Sequence, residues 1–148
     1  QINKTNVSAL RVAWTYPYGE TGSVPVVVGG VAYGRGRNGS LVAVDAQTGR
    51  EIWIRENMTG MTSRGLNYWE SADGRDRRLI FSMNSLLQEV DAKTGKEVWR
   101  FRMGGGVRSQ PIAYQLDGRT YVAIASGSVN GSHSAMRPSP SRRQSTAV

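Results

Sequence analysis

The sequence predicts an all-β protein built of repeated four-stranded antiparallel units, and three observations support this fold class. Two nearly identical segments, DAQTGREIW and DAKTGKEVW, begin at residues 45 and 91, which places them 46 residues apart. The apolar segments are short, rich in β-branched and aromatic residues, and separated by glycine-containing turns. No stretch keeps a helical apolar period over about ten residues. Repeats of roughly 40–50 residues made of strands are typical of propeller blades, so we expect a partial β-propeller.

The turn residues place the predicted strands. A lone strand at 12–16 comes first, and the glycine pair at 29–30 can supply the positive φ angles of a tight hairpin turn. A third unit turns at Asp117-Gly118 and ends before a third strand is predicted. The sequence therefore predicts about two complete blades and parts of a third, with strands at 24–28, 31–34, 40–44 and 51–55, then 66–69, 78–83, 86–90 and 97–101, then 110–115 and 120–125.

The repeated residues have a structural explanation. Asp45 and Asp91 end the third strand of their units, and their side chains can accept hydrogen bonds from the turn that follows. Trp53 and Trp99 lie on the fourth strand, where an indole can fill the gap between neighbouring blades. A feature that recurs in every unit is typical of repeat packing rather than of a catalytic centre.

The composition changes near residue 127. Residues 1–127 form the predicted partial propeller, and residues 128–148 are rich in Ser, Arg, Pro and Gly, which predicts a disordered basic tail. The only histidine, His133, falls in this tail, so we expect it to be neither a ligand nor a base.

Composition also limits the partners. The net charge is +8, but the Lys and Arg residues are scattered and form no basic stripe, so we expect no nucleic-acid partner. No apolar run approaches the roughly 18 residues of a transmembrane helix, and the absence of cysteine excludes disulfides and thiolate metal sites.

The doubled DA-x-TG-K/R-E-x-W unit resembles the tryptophan-docking repeat of the quinoprotein dehydrogenases, which depend on pyrroloquinoline quinone (PQQ). Three further stretches are similar to the alcohol and glucose dehydrogenase branch of that family. They are QINKTNVSALRVAWTY at 1–16, RGLNYWESADGRDRRLIF at 64–81 and SQPIAYQLDGRTYVAIASG at 109–127. The resemblance implies an eight-bladed propeller.

The resemblance further implies a periplasmic enzyme that uses PQQ and calcium to oxidise an alcohol or sugar and passes electrons to a respiratory acceptor. It also implies that Arg64 contacts an acidic edge of the cofactor, because a guanidinium suits a carboxylate. The blades that carry the catalytic aspartate and most calcium ligands in the family have no match here. We therefore expect a truncated or internally deleted member, inactive on its own, with no catalytic and no metal-binding residue in this chain.

Alternatives remain open at this stage. Similar repeats build non-catalytic propellers that act as protein-interaction scaffolds, and Arg64 is equally well explained as a solvated loop residue. We expect the aromatic residues that follow Arg64, Tyr68 and Trp69, to pack within the blade rather than bind a ligand. A partial propeller also leaves sheet edges open, which predicts self-association.

Overall fold

The computed structural model describes residues 2–17, 24–107, 109–128, 131–132 and 135–138. The predicted all-β fold of four-stranded antiparallel blades is confirmed. Helix in the described residues is limited to two short 3₁₀ turns, Val7–Ala9 and Arg37–Gly39. No helix there has the length and apolar character needed to cross a membrane.

Two complete blades form the centre of the molecule, and each is an antiparallel meander in chain order. The first blade contains β1 Val26–Val28, β2 Val31–Arg35, β3 Leu41–Asp45 and β4 Glu51–Arg55. The second blade contains β5 Asn67–Glu70, β6 Arg77–Met83, β7 Leu86–Asp91 and β8 Glu97–Arg102.

The two blades share the same strand register. Val31 pairs with Asp45 in the first blade, and Arg78 pairs with Asp91 at the equivalent place in the second. Both blades also have a register shift at the same point of the repeat, between residues 43 and 44 and between residues 89 and 90. The sequence repeat is therefore also a structural repeat, and the two blades share even the register shift.

A third sheet follows, with β9 Ile112–Leu116, β10 Arg119–Ile124 and β13 Ala135–Pro138 in the order β13-β10-β9. A small separate hairpin pairs β11 Gly127–Ser128 with β12 Gly131–Ser132. The third unit thus has a third strand that the sequence did not predict, and it lies within the stretch assigned to a disordered tail. Ser, Arg and Pro around residues 135–138 conceal the alternation typical of a strand. His133 and residues 139–148 lie outside the described residues.

The predicted strand at 12–16 is wrong, because residues 11–17 join no ladder in the described structure. A strand needs a neighbour to satisfy its backbone groups, and no described strand lies beside this segment. Its side chains are nonetheless ordered against the first blade, where Trp14 and Tyr16 pack on the cluster formed by Ala32, Val42 and Val44.

The core lies between the blades rather than within them. The main cluster joins the facing surfaces of the first and second blades and includes Leu41, Ala43, Leu79, Phe81 and Val90. A second cluster joins the second blade to the third sheet and includes Ile80, Leu87, Val122 and Ile124. Each sheet therefore depends on its neighbour to cover its apolar face.

Candidate functional site

The candidate cofactor residue, Arg64, lies on the connection between the first two blades, just before β5. Three side chains of this connection fix it to the blades, because they are buried in the core between them. They are Met58, Met61 and Leu66. Met61 also forms an isolated bridge with Met83 at the end of β6. The loop that carries Arg64 is thus held against the blades at both ends.

Three residues lie close together beside Arg64, and each comes two positions before the first strand of its sheet. They are Val24, Gly65 and Gln110. Gly65 has a φ of +110°, a value that side-chain-bearing residues rarely adopt, and faces the Val24 carbonyl and the Gln110 side chain. The Gln110 amide donates to the Leu66 carbonyl at 2.7 Å, and the Asn67 amide donates to the Pro111 carbonyl at 3.0 Å. These reciprocal bonds fix the second blade to the third sheet next to Arg64.

The Arg64 side chain is exposed and makes no ion pair with any described residue. Its backbone N–H donates to the Thr62 hydroxyl at 3.2 Å, which orders the main chain and leaves the guanidinium available. A guanidinium on a fixed backbone can bind a carboxylate through two parallel hydrogen bonds. The position is therefore chemically suited to an anionic ligand.

The described carboxylates do not fit calcium, which needs about six to eight converging oxygen ligands. No group of three or more acidic or histidine side chains in the described ranges could hold a metal ion. Several carboxylates serve turns instead. Hydrogen bonds from Thr48 lower the pKa of Asp45, and a hydrogen bond from Ser71 similarly lowers the pKa of Asp73.

The aromatic residues after Arg64 pack within the molecule. Tyr68 stacks on Tyr33 of the first blade with ring centroids 6.1 Å apart, and its hydroxyl donates to Glu70 at 2.7 Å. Burial, together with the Glu70 carboxylate, raises the pKa of Tyr68 to about 12. Trp69 lies 5.5 Å from the Arg78 guanidinium carbon, which stands over its ring.

A buried charge network lies between β6 and β7 and was not predicted. Arg78 donates to Glu89 at 2.6 Å and to Asp76 at 2.6 Å, and both Arg78 and Glu89 are buried. The hydrogen bonds that Arg78 donates to the Asp76 carboxylate, and then to the Glu89 carboxylate, raise the pKa of Arg78. Val31 occupies the equivalent position in the first blade. The arginine in place of an apolar residue was therefore the sequence signal that could have predicted this network.

Two tryptophans join successive units by the same contact. The Trp14 indole N–H donates to the Ala46 carbonyl at 3.0 Å, and the Trp53 indole N–H donates to the Ala92 carbonyl at 3.0 Å. Each ring lies on the glycine of the following turn, where an added Cβ would come within 2.7 Å of the indole at Gly49 or at Gly95. The N-terminal segment therefore contacts the first blade as the fourth strand of one blade contacts the next.

Comparison with known proteins decides the family. Residues 1–108 match the family model described as PQQ: glucose/ethanol/alcohol dehydrogenase, beta-propeller domain. The chain belongs to this family. It is 33 % identical over 91 residues to the quinoprotein alcohol dehydrogenase PedH of Pseudomonas putida, and 32 % identical over 116 residues to the dehydrogenase subunit of the quinone alcohol dehydrogenase of Gluconobacter oxydans. These matches cover 60 % of this chain in each case, but only 14 % and 15 % of the two relatives.

Solved structures show the same fold. The quinohemoprotein alcohol dehydrogenase of Comamonas testosteroni matches with a TM-score of 0.68 and 24 % identity, covering 93 % of this chain and 22 % of that protein. A europium-containing methanol dehydrogenase matches with a TM-score of 0.62 and 22 % identity, covering 85 % and 24 %. The family assignment confirms the resemblance and does not favour the scaffold alternative.

Proposed function

We propose that this chain forms part of the propeller of a PQQ-dependent dehydrogenase that oxidises an alcohol or a sugar and passes electrons to a respiratory acceptor. The family match over residues 1–108 supports the class of enzyme. The single structural observation that carries the cofactor role is the exposed Arg64 guanidinium on a fixed loop. PQQ supplies the redox chemistry when bound, whereas Arg64 would hold one of its carboxylates.

We also propose that the 148 residues do not oxidise alcohols on their own. The described residues provide an anion-binding group, but no converging set of carboxylates for calcium. Calcium, the base that accepts the substrate proton and the substrate contacts would then come from blades outside this chain. Because the relatives are quinoprotein dehydrogenases, a periplasmic location belongs to the same proposal.

The cofactor role can be tested by titrating the purified chain with PQQ and measuring binding by calorimetry. Arg64→Gln should weaken binding about tenfold or more, the value of one hydrogen bond to a charged group. Arg75→Gln is the matched control, because Arg75 is also an exposed loop arginine and its removal changes the net charge equally. Arg64→Lys should fall between the two, since a lysine keeps the charge but loses the bidentate geometry.

Two results would count against these proposals. Equal PQQ affinity in the Arg64→Gln and Arg75→Gln variants would exclude the role of Arg64, since only the shared charge would then matter. Dye reduction by the unmodified chain with PQQ, calcium and ethanol or glucose would instead contradict the statement that the chain is inactive alone.

A further inference from the structure

A cleft of about 430 Å³ lies between the first two blades, away from Arg64. Both blades that form it are complete. The first blade contributes an apolar wall that includes Val31, Ile52 and Trp53, and the second contributes residues of the β5–β6 and β7–β8 connections. Because Arg64 precedes β5 and the β5–β6 connection follows it, the cleft and the candidate cofactor residue lie at opposite ends of that strand.

The side of the cleft formed by the second blade is basic. Arg75, Arg77 and Lys93 line it, whereas Asp91 is the one acidic side chain among the described residues that do so. The Asp91 carboxylate already accepts hydrogen bonds from the Thr94 N–H and hydroxyl, each at 2.7 Å. The cleft therefore carries an excess of positive charge, and this charge favours an anionic ligand.

Arg77 is held in a way that leaves its terminal nitrogens available. Its Nε donates to the Gly74 carbonyl at 3.1 Å and lies 3.3 Å from the Glu70 carboxylate. The two terminal nitrogens donate to no described residue. A guanidinium fixed in this way can bind a carboxylate through both of them. Lys93 likewise forms no ion pair with any described residue, whereas the Arg75 side chain is 88 % exposed and stands at the rim.

Tyr33 supplies a buried hydroxyl to the same cleft. The residue is only 6 % exposed and packs beside Trp53 and Tyr68, with ring centroids 6.2 and 6.1 Å away. Its hydroxyl makes no hydrogen bond with any described residue. Burial raises the pKa of Tyr33 and the Arg77 charge opposes this rise, which places the hydroxyl near Arg77 on the basic side of the cleft. Because a buried hydroxyl without a partner is costly, a ligand atom that accepts its hydrogen bond would be stabilised there.

The repeat does not require these polar groups. Lys93 occupies the place of Gln47 in the first copy of the repeated segment, and Arg77 occupies the place of Gly30. The β5–β6 connection, which carries Arg75, replaces the short glycine turn between β1 and β2. A blade therefore forms without these cations, and their presence in one cleft indicates a ligand rather than a packing role.

We propose that this cleft binds a small organic carboxylate with a flat apolar body. The carboxylate accepts hydrogen bonds from the Arg77 guanidinium and the Tyr33 hydroxyl, and Lys93 adds its charge. The apolar body covers the wall that includes Ile52 and Trp53. Inorganic phosphate would pair with the cations but leave this wall in water, whereas a neutral aromatic molecule would leave the cations unpaired. The cleft volume of about 430 Å³ lies within the range of small-molecule sites.

Calorimetric titration of the full chain with benzoate tests this proposal. Benzoate should bind at one site with a dissociation constant of roughly a millimolar or less. Benzamide, which lacks the charge, and inorganic phosphate, which lacks the apolar body, should each bind about tenfold more weakly or worse. Tyr33→Phe and Arg77→Gln should each weaken benzoate binding about tenfold, the value of one hydrogen bond to a charged group. Circular dichroism should show the same strand content in both variants.

A pair of lysine variants provides the matched control. Lys93 and Lys96 are both exposed in the β7–β8 connection, but of the two only Lys93 lines the cleft. Lys93→Gln should weaken benzoate binding about threefold, and Lys96→Gln should leave it unchanged. Arg64→Gln should also leave it unchanged, which separates the cleft from the candidate cofactor residue. The proposal is overturned by a lack of saturable benzoate binding, by equal effects of the two lysine substitutions, by equal affinity for benzamide or phosphate, or by unchanged affinity in Tyr33→Phe.

Discussion

Substitution of Gly95 by alanine tests whether the indole contact between blades stabilises the fold. Gly95 has a φ of +69°, and an added Cβ would lie 2.7 Å from Trp53 Cε3 and 3.0 Å from Cδ2. Both the strained backbone and the collision with a packed ring should therefore destabilise the variant. Gly118 offers a matched control, since its φ is +72° and nothing lies within 4 Å of its Cβ position.

The two substitutions should differ by the cost of the collision. A left-handed backbone costs a non-glycine residue roughly 1–2 kcal/mol, and this cost is common to Gly95→Ala and Gly118→Ala. Extra volume in a packed core costs typically about 1–3 kcal/mol more. We expect Gly118→Ala to lower the free energy of unfolding by about 1 kcal/mol and Gly95→Ala by about 2–4 kcal/mol.

Urea unfolding followed by far-ultraviolet circular dichroism measures these changes without depending on tryptophan fluorescence. Removal of the ring should abolish the difference, so in a Trp53→Leu background Gly95→Ala should cost no more than Gly118→Ala does. The resulting coupling energy isolates the contact between Trp53 and the turn. Equal losses for Gly95→Ala and Gly118→Ala in the unmodified chain would refute the reasoning.

Two further predictions concern ionisable groups. Glu89→Gln removes one carboxylate from buried Arg78 and should lower the free energy of unfolding by about 3 kcal/mol in urea, the low end for a broken buried pair because Asp76 remains. Arg75→Gln, which breaks an exposed 3.8 Å pair, should cost less than about 1 kcal/mol, and equal losses would contradict this account. The folded-state pKa of Tyr68 is raised from 10 to about 12, so the stability it contributes is complete below pH 10 and is lost as pH rises to 12. Tyr68→Phe should therefore make the urea midpoint fall less steeply over that range, and an unchanged slope would count against it.

The repeated part of the fold could be predicted from the sequence because its signals are local. Asp91, Thr94 and Gly95 form the turn between β7 and β8 through bonds that span only a few residues: the Asp91 carboxylate accepts from the Thr94 N–H and hydroxyl, each at 2.7 Å. The predicted strands on either side, at 86–90 and 97–101, each end one residue before the observed strands. Where apolar alternation and turn chemistry agree, single-sequence reasoning places strands well.

The failures occur where pairing depends on a distant partner. Residues 12–16 have the composition of a strand but no described neighbour to pair with. Residues 135–138 lack that composition, yet their backbone pairs with β10. Neither outcome is encoded locally. At the site, the exposed position of Arg64 agrees with a ligand role, but its contact with PQQ stays a prediction.

Departures from the repeat also distinguish the two blades from each other. The surface between the first two blades is apolar and uses residues of the repeat, including Leu79 and Val90. The side of the second blade that faces the third sheet instead carries Arg78 and Glu89, where the first blade has Val31 and Ala43. An unpaired buried charge is costly, so β6 and β7 must keep this pair intact on the side that the third sheet covers. The same substitution in the first blade would bury a charge pair against Phe81 and Leu79. The unrepeated pair therefore distinguishes two otherwise similar blades and restricts which neighbour each can accept.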